Sequence, residues 1–82
     1  MIDVSARPNE VLDCTGLYCP QPLFQTREAL NKIAVGEILE VLADDPAAEE
    51  DIKRLVKRTG QEMVGLEKLK DGVIRFLIRK IH

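Results

Sequence analysis

The six residues Ile38-Leu39-Glu40-Val41-Leu42-Ala43 carry a single polar side chain and run straight into Asp44-Asp45-Pro46. A run so short and so apolar reads as a central β-strand, particularly one in a parallel pairing. The chain has 82 residues, and a domain of that length buries only about 60% of the surface its unfolded chain exposes. The strand therefore belongs to one small, economical sheet. Residues 10–82 are expected to form a single domain, with 1–9 a flexible N-terminal leader.

The elements around that strand follow from local signals. Glu10-Val11-Leu12-Asp13-Cys14 reads as a short first strand, and Gly16 marks the tight point of the loop after it. A helix is predicted from Pro22 to Ala34, with Leu23, Thr26, Leu30, Ile33 and Ala34 on its core stripe and Phe24 off it. Gly36 ends it. The second helix opens with Asp45 as N-cap and Pro46 in its first turn. Its buried stripe is expected at Ala48, Ile52, Leu55, Val56 and Thr59, and Gly60 closes it. Strands near Glu62–Leu69 and Val73–Ile81 flank Lys70-Asp71-Gly72, where Asp-Gly is a strong hairpin signal. In the last strand Ile74, Phe76 and Ile78 can face the helices, which leaves Val73 and Leu77 on the opposite face. The order is βαβαββ: an α/β chain with a mixed four-stranded sheet and, through right-handed crossovers, both helices on one face.

Composition narrows the function. Net charge is −2 and 45% of residues are apolar, so direct nucleic-acid binding is not expected. No apolar stretch approaches the roughly 18 residues that span a bilayer, and the first nine residues hold no signal-peptide core. A cytoplasmic protein without a membrane partner is the expectation. The cysteines are Cys14 and Cys19, and the histidine is His82. Reduced thiols are expected over a disulfide, and neither a metal site nor a cofactor is expected.

Chemistry is expected at Cys19-Pro20-Gln21-Pro22. The first four N–H groups of a helix lack intrahelical partners, and prolines there stiffen the backbone while wasting few donors. Either Cys19 or Gln21 can be the cap, with the amides of Gln21 and Leu23 close to the sulfur. A surface helix dipole contributes roughly 0.3–1 kcal/mol, less than one pKa unit, so the thiol is mildly activated from about 8.5. No histidine is placed as its base, which removes protease and acyl-transfer chemistry. Thiolate attack on a sulfur atom needs neither base nor oxyanion hole. Cys14, at a strand end, reads as a small core residue; its alternative is a second thiol that pairs with Cys19. Asp45 is explained as a cap, yet it follows the second strand as Cys19 follows the first, so both belong to the same carboxyl edge. Phe24, on the helix flank, is a candidate partner contact.

Leu12-Asp13-x-x-Gly16-Leu17-x-Cys19-Pro20-x-Pro22, with Ala43-Asp44-Asp45-Pro46 and the terminal Ile78-Arg79-Lys80, resembles the TusA (SirA-like) sulfur-carrier family from about Val11 to Lys80. The resemblance implies a two-layer sandwich like the C-terminal domain of translation initiation factor three. It implies a sulfurtransferase that carries sulfur as a persulfide on Cys19, positioned by Pro20, Pro22 and Asp45, with Phe24 and Arg27 among the partner contacts. It further implies a donor protein, a cysteine desulfurase or rhodanese-like protein, and an acceptor protein with a reactive cysteine. The relays such carriers feed include tRNA 2-thiouridine formation, molybdenum-cofactor metabolism and dissimilatory sulfur oxidation. Gln21 stands where Glu is frequent and Cys14 where Ala is common. Two other functions remain open on the residues: a non-catalytic binding module using Lys53, Arg54, Lys57 and Arg58, and a Cys14/Cys19 redox switch.

Overall fold

The computed structural model describes residues 8–18 and 20–82. The expected leader falls mostly on residues 1–7, and Cys19 is the remaining position; both lie outside the described residues. The elements run β1 (Glu10–Asp13), α1 (Gln21–Lys32), β2 (Ile38–Ala43), α2 (Pro46–Thr59), β3 (Glu62–Lys68) and β4 (Ile74–Arg79). Their order in the sheet is β1-β2-β4-β3. β1 and β2 are parallel, while β4 is antiparallel to both β2 and β3. The central strand read from Ile38–Ala43 has those bounds and lies between β1 and β4.

Register sorts the side chains. Leu39 faces Ile78, Val41 faces Phe76 and Ala43 faces Ile74 across the β2–β4 pair. Leu12 faces Val41, and Met63 and Leu66 face Ile78 and Phe76. These residues make one sheet face, and the core joins it to Leu30 and Ile33 from α1 and its end and to Ala48, Ile52, Leu55 and Val56 from α2. Both helices therefore cover the same side.

The other face departs from expectation at Leu77. It lies there as predicted, but it is only 2% exposed. Arg75 and Arg79 flank it on its own strand, and Glu40 stands opposite. Arg75 Nε donates to Glu40 Oε1 at 2.7 Å and reaches Glu67 at 3.6 Å, while Arg79 meets Glu62 at 2.9 Å. Long charged side chains lay their stems over apolar neighbours while the heads stay wet, so this face is roofed by its own ion pairs. The exposed Arg79–Glu62 pair contributes little net stability by itself; the effect of the set is to leave few aliphatics bare.

The helix ends explain the other differences. α2 starts as predicted: the Asp45 carboxylate accepts from Ala47 N–H at 3.0 Å and Pro46 sits in the first turn. At its close Gly60 takes φ 74°, Gln61 N–H bonds Val56 C=O and Gly60 N–H bonds Lys57 C=O, the Schellman pattern. Thr59, expected in the core, is exposed; its hydroxyl donates to Leu55 C=O at 2.7 Å, a back-bond that satisfies it without burial. Ala34 is also exposed because α1 stops at Lys32 and the chain turns extended at Ile33. Lys80 holds that end: its ammonium donates to Ile33 C=O at 2.8 Å, and its backbone bonds Gly36 and Glu37.

Gly60 carries a specific load. A Cβ built there would meet His82 Nε2 at 2.9 Å, on a left-handed backbone. Gly60→Ala should lower stability by about 1 kcal/mol or more in urea titration. The His82→Ala background should return part of that loss. An unchanged midpoint would show that neither the turn nor the ring contact matters.

Candidate functional site

β1 and β2 run parallel, so the loops that follow them leave from one edge of the sheet. The first loop is tied both to β2 and to the second loop. Cys14 N–H donates to Leu42 C=O at 2.7 Å, and Gly16 N–H donates to the Asp44 carboxylate at 3.0 Å. The first loop is also braced internally: Asp13 Oδ1 accepts from Thr15 N–H at 2.9 Å and from the Thr15 hydroxyl at 2.6 Å. Those two bonds, the hydroxyl first, hold the Asp13 carboxyl below its ordinary value. A depressed carboxyl stabilises the fold above its unfolded value of about 3.9, and that contribution is lost as pH falls through the folded value. Gly16 has φ 83°, the tight point expected of it.

The first loop leads into α1 through Tyr18, which is 77% exposed. The cap of α1 is Pro20, in place of Cys19 or Gln21. Its carbonyl accepts from Phe24 N–H at 3.1 Å, which makes it the first acceptor of the helix. Gln21 N–H is already engaged by Tyr18 C=O at 2.8 Å. Of the two amides expected near the sulfur, Gln21's is thus committed. Pro22 is fully buried with Thr26 and Leu30 on the inner stripe, so it anchors the head of α1 to the core. Thr26 Oγ1 is buried and finds no hydrogen-bond partner among the described residues.

The two helix heads differ electrostatically. α2 places the Asp45 cap and Glu49 at its positive end, whereas the first turn of α1 has no acidic residue and no side-chain cap bond. An anion is favoured at a helix N-terminus, and only α2 supplies its own.

The remaining candidates fall in three places. Phe24 and Arg27 come together on the wall of a groove of about 260 Å³ between α1 and α2; Phe24 is 54% exposed, as its off-stripe position predicts. Asp45 is absent from that wall and sits at the head of α2. Cys14 is fully buried in the core. Burial is the main influence raising its thiol's pKa, and the neighbouring Asp13 charge adds to it, so the reactive thiolate form is suppressed.

One contributor was missed by sequence reasoning. Asp44 joins the two loops, and the available signal was two consecutive acids before Pro46: one caps the helix, and the other needs a separate partner. Asp44→Ala should speed hydrogen exchange at Gly16 and cost on the order of 1 kcal/mol. Asp44→Asn, which keeps an acceptor, should fall between it and wild type. Unchanged exchange in Asp44→Ala would mean the loops are not joined through this bond.

The family model described as Sulfurtransferase TusA matches residues 10–80. A protein of Archaeoglobus fulgidus named "Putative sulfur carrier protein" is 60% identical over 68 residues, which cover 83% of this chain and 88% of that one. The Sulfur carrier protein TusA of Allochromatium vinosum is 36% identical over 72 residues, 88% of this chain and 93% of its own. The crystal structure of a SirA-like protein from Desulfitobacterium hafniense superposes with a TM-score of 0.79 at 22% identity, over 89% of this chain and 99% of that one. That last likeness concerns the fold.

Proposed function

Because the chain belongs to the TusA sulfurtransferase family, we propose that it is a sulfur carrier that holds sulfane sulfur as a persulfide on Cys19. The observation that carries the reading is the family match across residues 10–80, which spans the Cys19-Pro20-Gln21-Pro22 motif. The sulfur comes from a donor protein, a cysteine desulfurase or rhodanese-like protein, and goes to a reactive cysteine of an acceptor protein. The chain is a sulfurtransferase in that sense and turns over no small molecule by itself. Transfer to tRNA 2-thiouridine formation and to dissimilatory sulfur oxidation are the relays that fit this role.

The chemistry balances without a cofactor. The Cys19 thiolate attacks the terminal sulfur of a donor persulfide, a new S–S bond forms, and the donor S–S bond breaks. The donor cysteine departs as a thiolate with its electron pair. Cys19 is left as a persulfide, which is more acidic than a thiol and stays anionic. In the second step an acceptor thiolate attacks that terminal sulfur and Cys19 returns to thiolate. Neither step needs a general base.

Several features support this reading. The first turn of α1 carries no acidic side chain to repel an anion, and Gln21 stands where a carboxylate would add a charge. Buried Pro22 fixes the helix head, and Pro20 caps it. Asp45, at the neighbouring helix head, positions the sulfur or a partner. Phe24 and Arg27 present a surface to donor and acceptor. A Cys14/Cys19 switch is disfavoured, because a core thiol with a raised pKa is both inaccessible and protonated.

The test is intact mass after incubation with a cysteine desulfurase and cysteine. Wild type and Cys14→Ser should gain one reducible sulfur atom, and Cys19→Ser, still folded by circular dichroism, should gain none. Sulfur retained by Cys19→Ser, or no loading of any chain from desulfurase or rhodanese donors, would refute the assignment.

A further inference from the structure

The groove between the helices carries more charge than sulfur transfer uses. Phe24 and Arg27 line it from α1, and Arg54, Leu55 and Arg58 line it from α2. Arg54 and Arg58 are four residues apart, so they stack along one helix face. Asp51, the acidic side chain on this wall, stands 3.6 Å from Arg54. Neither Arg27 nor Arg58 forms an ion pair with another described residue. The chain as a whole has 14 acidic and 12 basic residues, so three arginines around one groove reverse the sign of the molecule locally.

The chemistry of the wall is mixed. Guanidinium groups fork carboxylates through two parallel hydrogen bonds and stack on aromatic rings. The exposed Phe24 ring gives an apolar seat, to which Leu55, buried in the core, adds little surface. A ligand that satisfies both must carry carboxylates beside an apolar side chain. A nucleic acid fits less well: backbone binding rewards a continuous cationic track, and here the cationic stretch is short and acids occupy the same helix at Glu49, Glu50 and Asp51.

We propose that this groove docks an acidic segment of a partner protein, its carboxylates held by Arg27, Arg54 and Arg58 and an apolar side chain seated against Phe24. The inference rests on the carrier reading in that docking here brings a sulfur donor or acceptor to the head of α1. It adds the chemistry by which that partner is recognised.

The probe is a short fluorescein-labelled peptide of glutamate, aspartate and leucine, titrated with the full chain and followed by anisotropy. Its counterpart has lysine in place of each acid, and a labelled single-stranded RNA of equal charge is the third ligand. Wild type should bind the acidic peptide alone, and more weakly as salt rises. The double variant Arg54→Glu/Arg58→Glu should weaken binding by roughly tenfold or more, a change of about 1.4 kcal/mol. Lys57→Glu, on the same helix but off the groove wall, should change it by less than about twofold if general charge is not the cause. The groove assignment is overturned by no acidic-peptide binding, by equal binding in the double variant, by an equal loss in Lys57→Glu, or by tighter binding of RNA. Loading of wild type by inorganic polysulfide, measured in parallel, bears only on the carrier reading.

Discussion

The parallel pairing of β1 on β2 is the contact on which the rest of this structure depends. β1 has four residues and hydrogen-bonds to β2 as its one neighbour in the sheet. It is closed at its carboxyl end by Cys14 N–H on Leu42 and by Gly16 N–H on Asp44. A strand this short has little stability of its own, so these end contacts set the course of the loop from Cys14 to Tyr18. They bring that loop to the edge from which α2 also departs. Buried Pro22 then fixes the head of α1 against the core. A shift of β1 by one residue would send Leu12 to the outer face and disturb the loop with it.

On that frame the chain treats its cysteines differently. Cys14 fills the core immediately beyond β1, where burial and the Asp13 charge favour its protonated form. The proposed carrier, Cys19, precedes a helix whose first turn holds neither acid nor side-chain cap. A modest dipole suits a carrier: sulfur must be accepted and also released, and a strongly stabilised thiolate is a poorer nucleophile. The family's function thus requires little machinery beyond placement. In the proposed relay, specificity then falls to surfaces such as the groove beside Phe24.

Much of this was legible in the residues, for identifiable reasons. Ile38–Ala43 and the second helix had correct bounds because a dense apolar run, Asp45-Pro46 and Gly60 are all strong local signals. The start of α1 was less readable: alternating prolines restrict both neighbours, so the cap fell on Pro20, which has no side-chain acceptor to advertise it. Ala34 was assigned to the core by periodicity, which continues on paper after a helix has ended; Thr59 is the last residue of α2, and its hydroxyl bonds back to Leu55 C=O instead of being buried. Leu77 was placed on the correct face, yet its burial depends on ion pairs from three strands. Asp44 and Lys80 act over long sequence separations, where a single sequence gives residue type without partner.

The central claim is that the fold keeps one thiol silent and leaves the other for sulfur. Its most direct test is native-state alkylation with iodoacetamide across a pH series, with each cysteine followed separately by peptide mass. Cys19 should react rapidly, with a midpoint somewhat below the free-thiol value of about 8.5, and Cys14 only as fast as the folded chain opens. Comparable rates at the two cysteines, or a faster Cys14, would contradict the account.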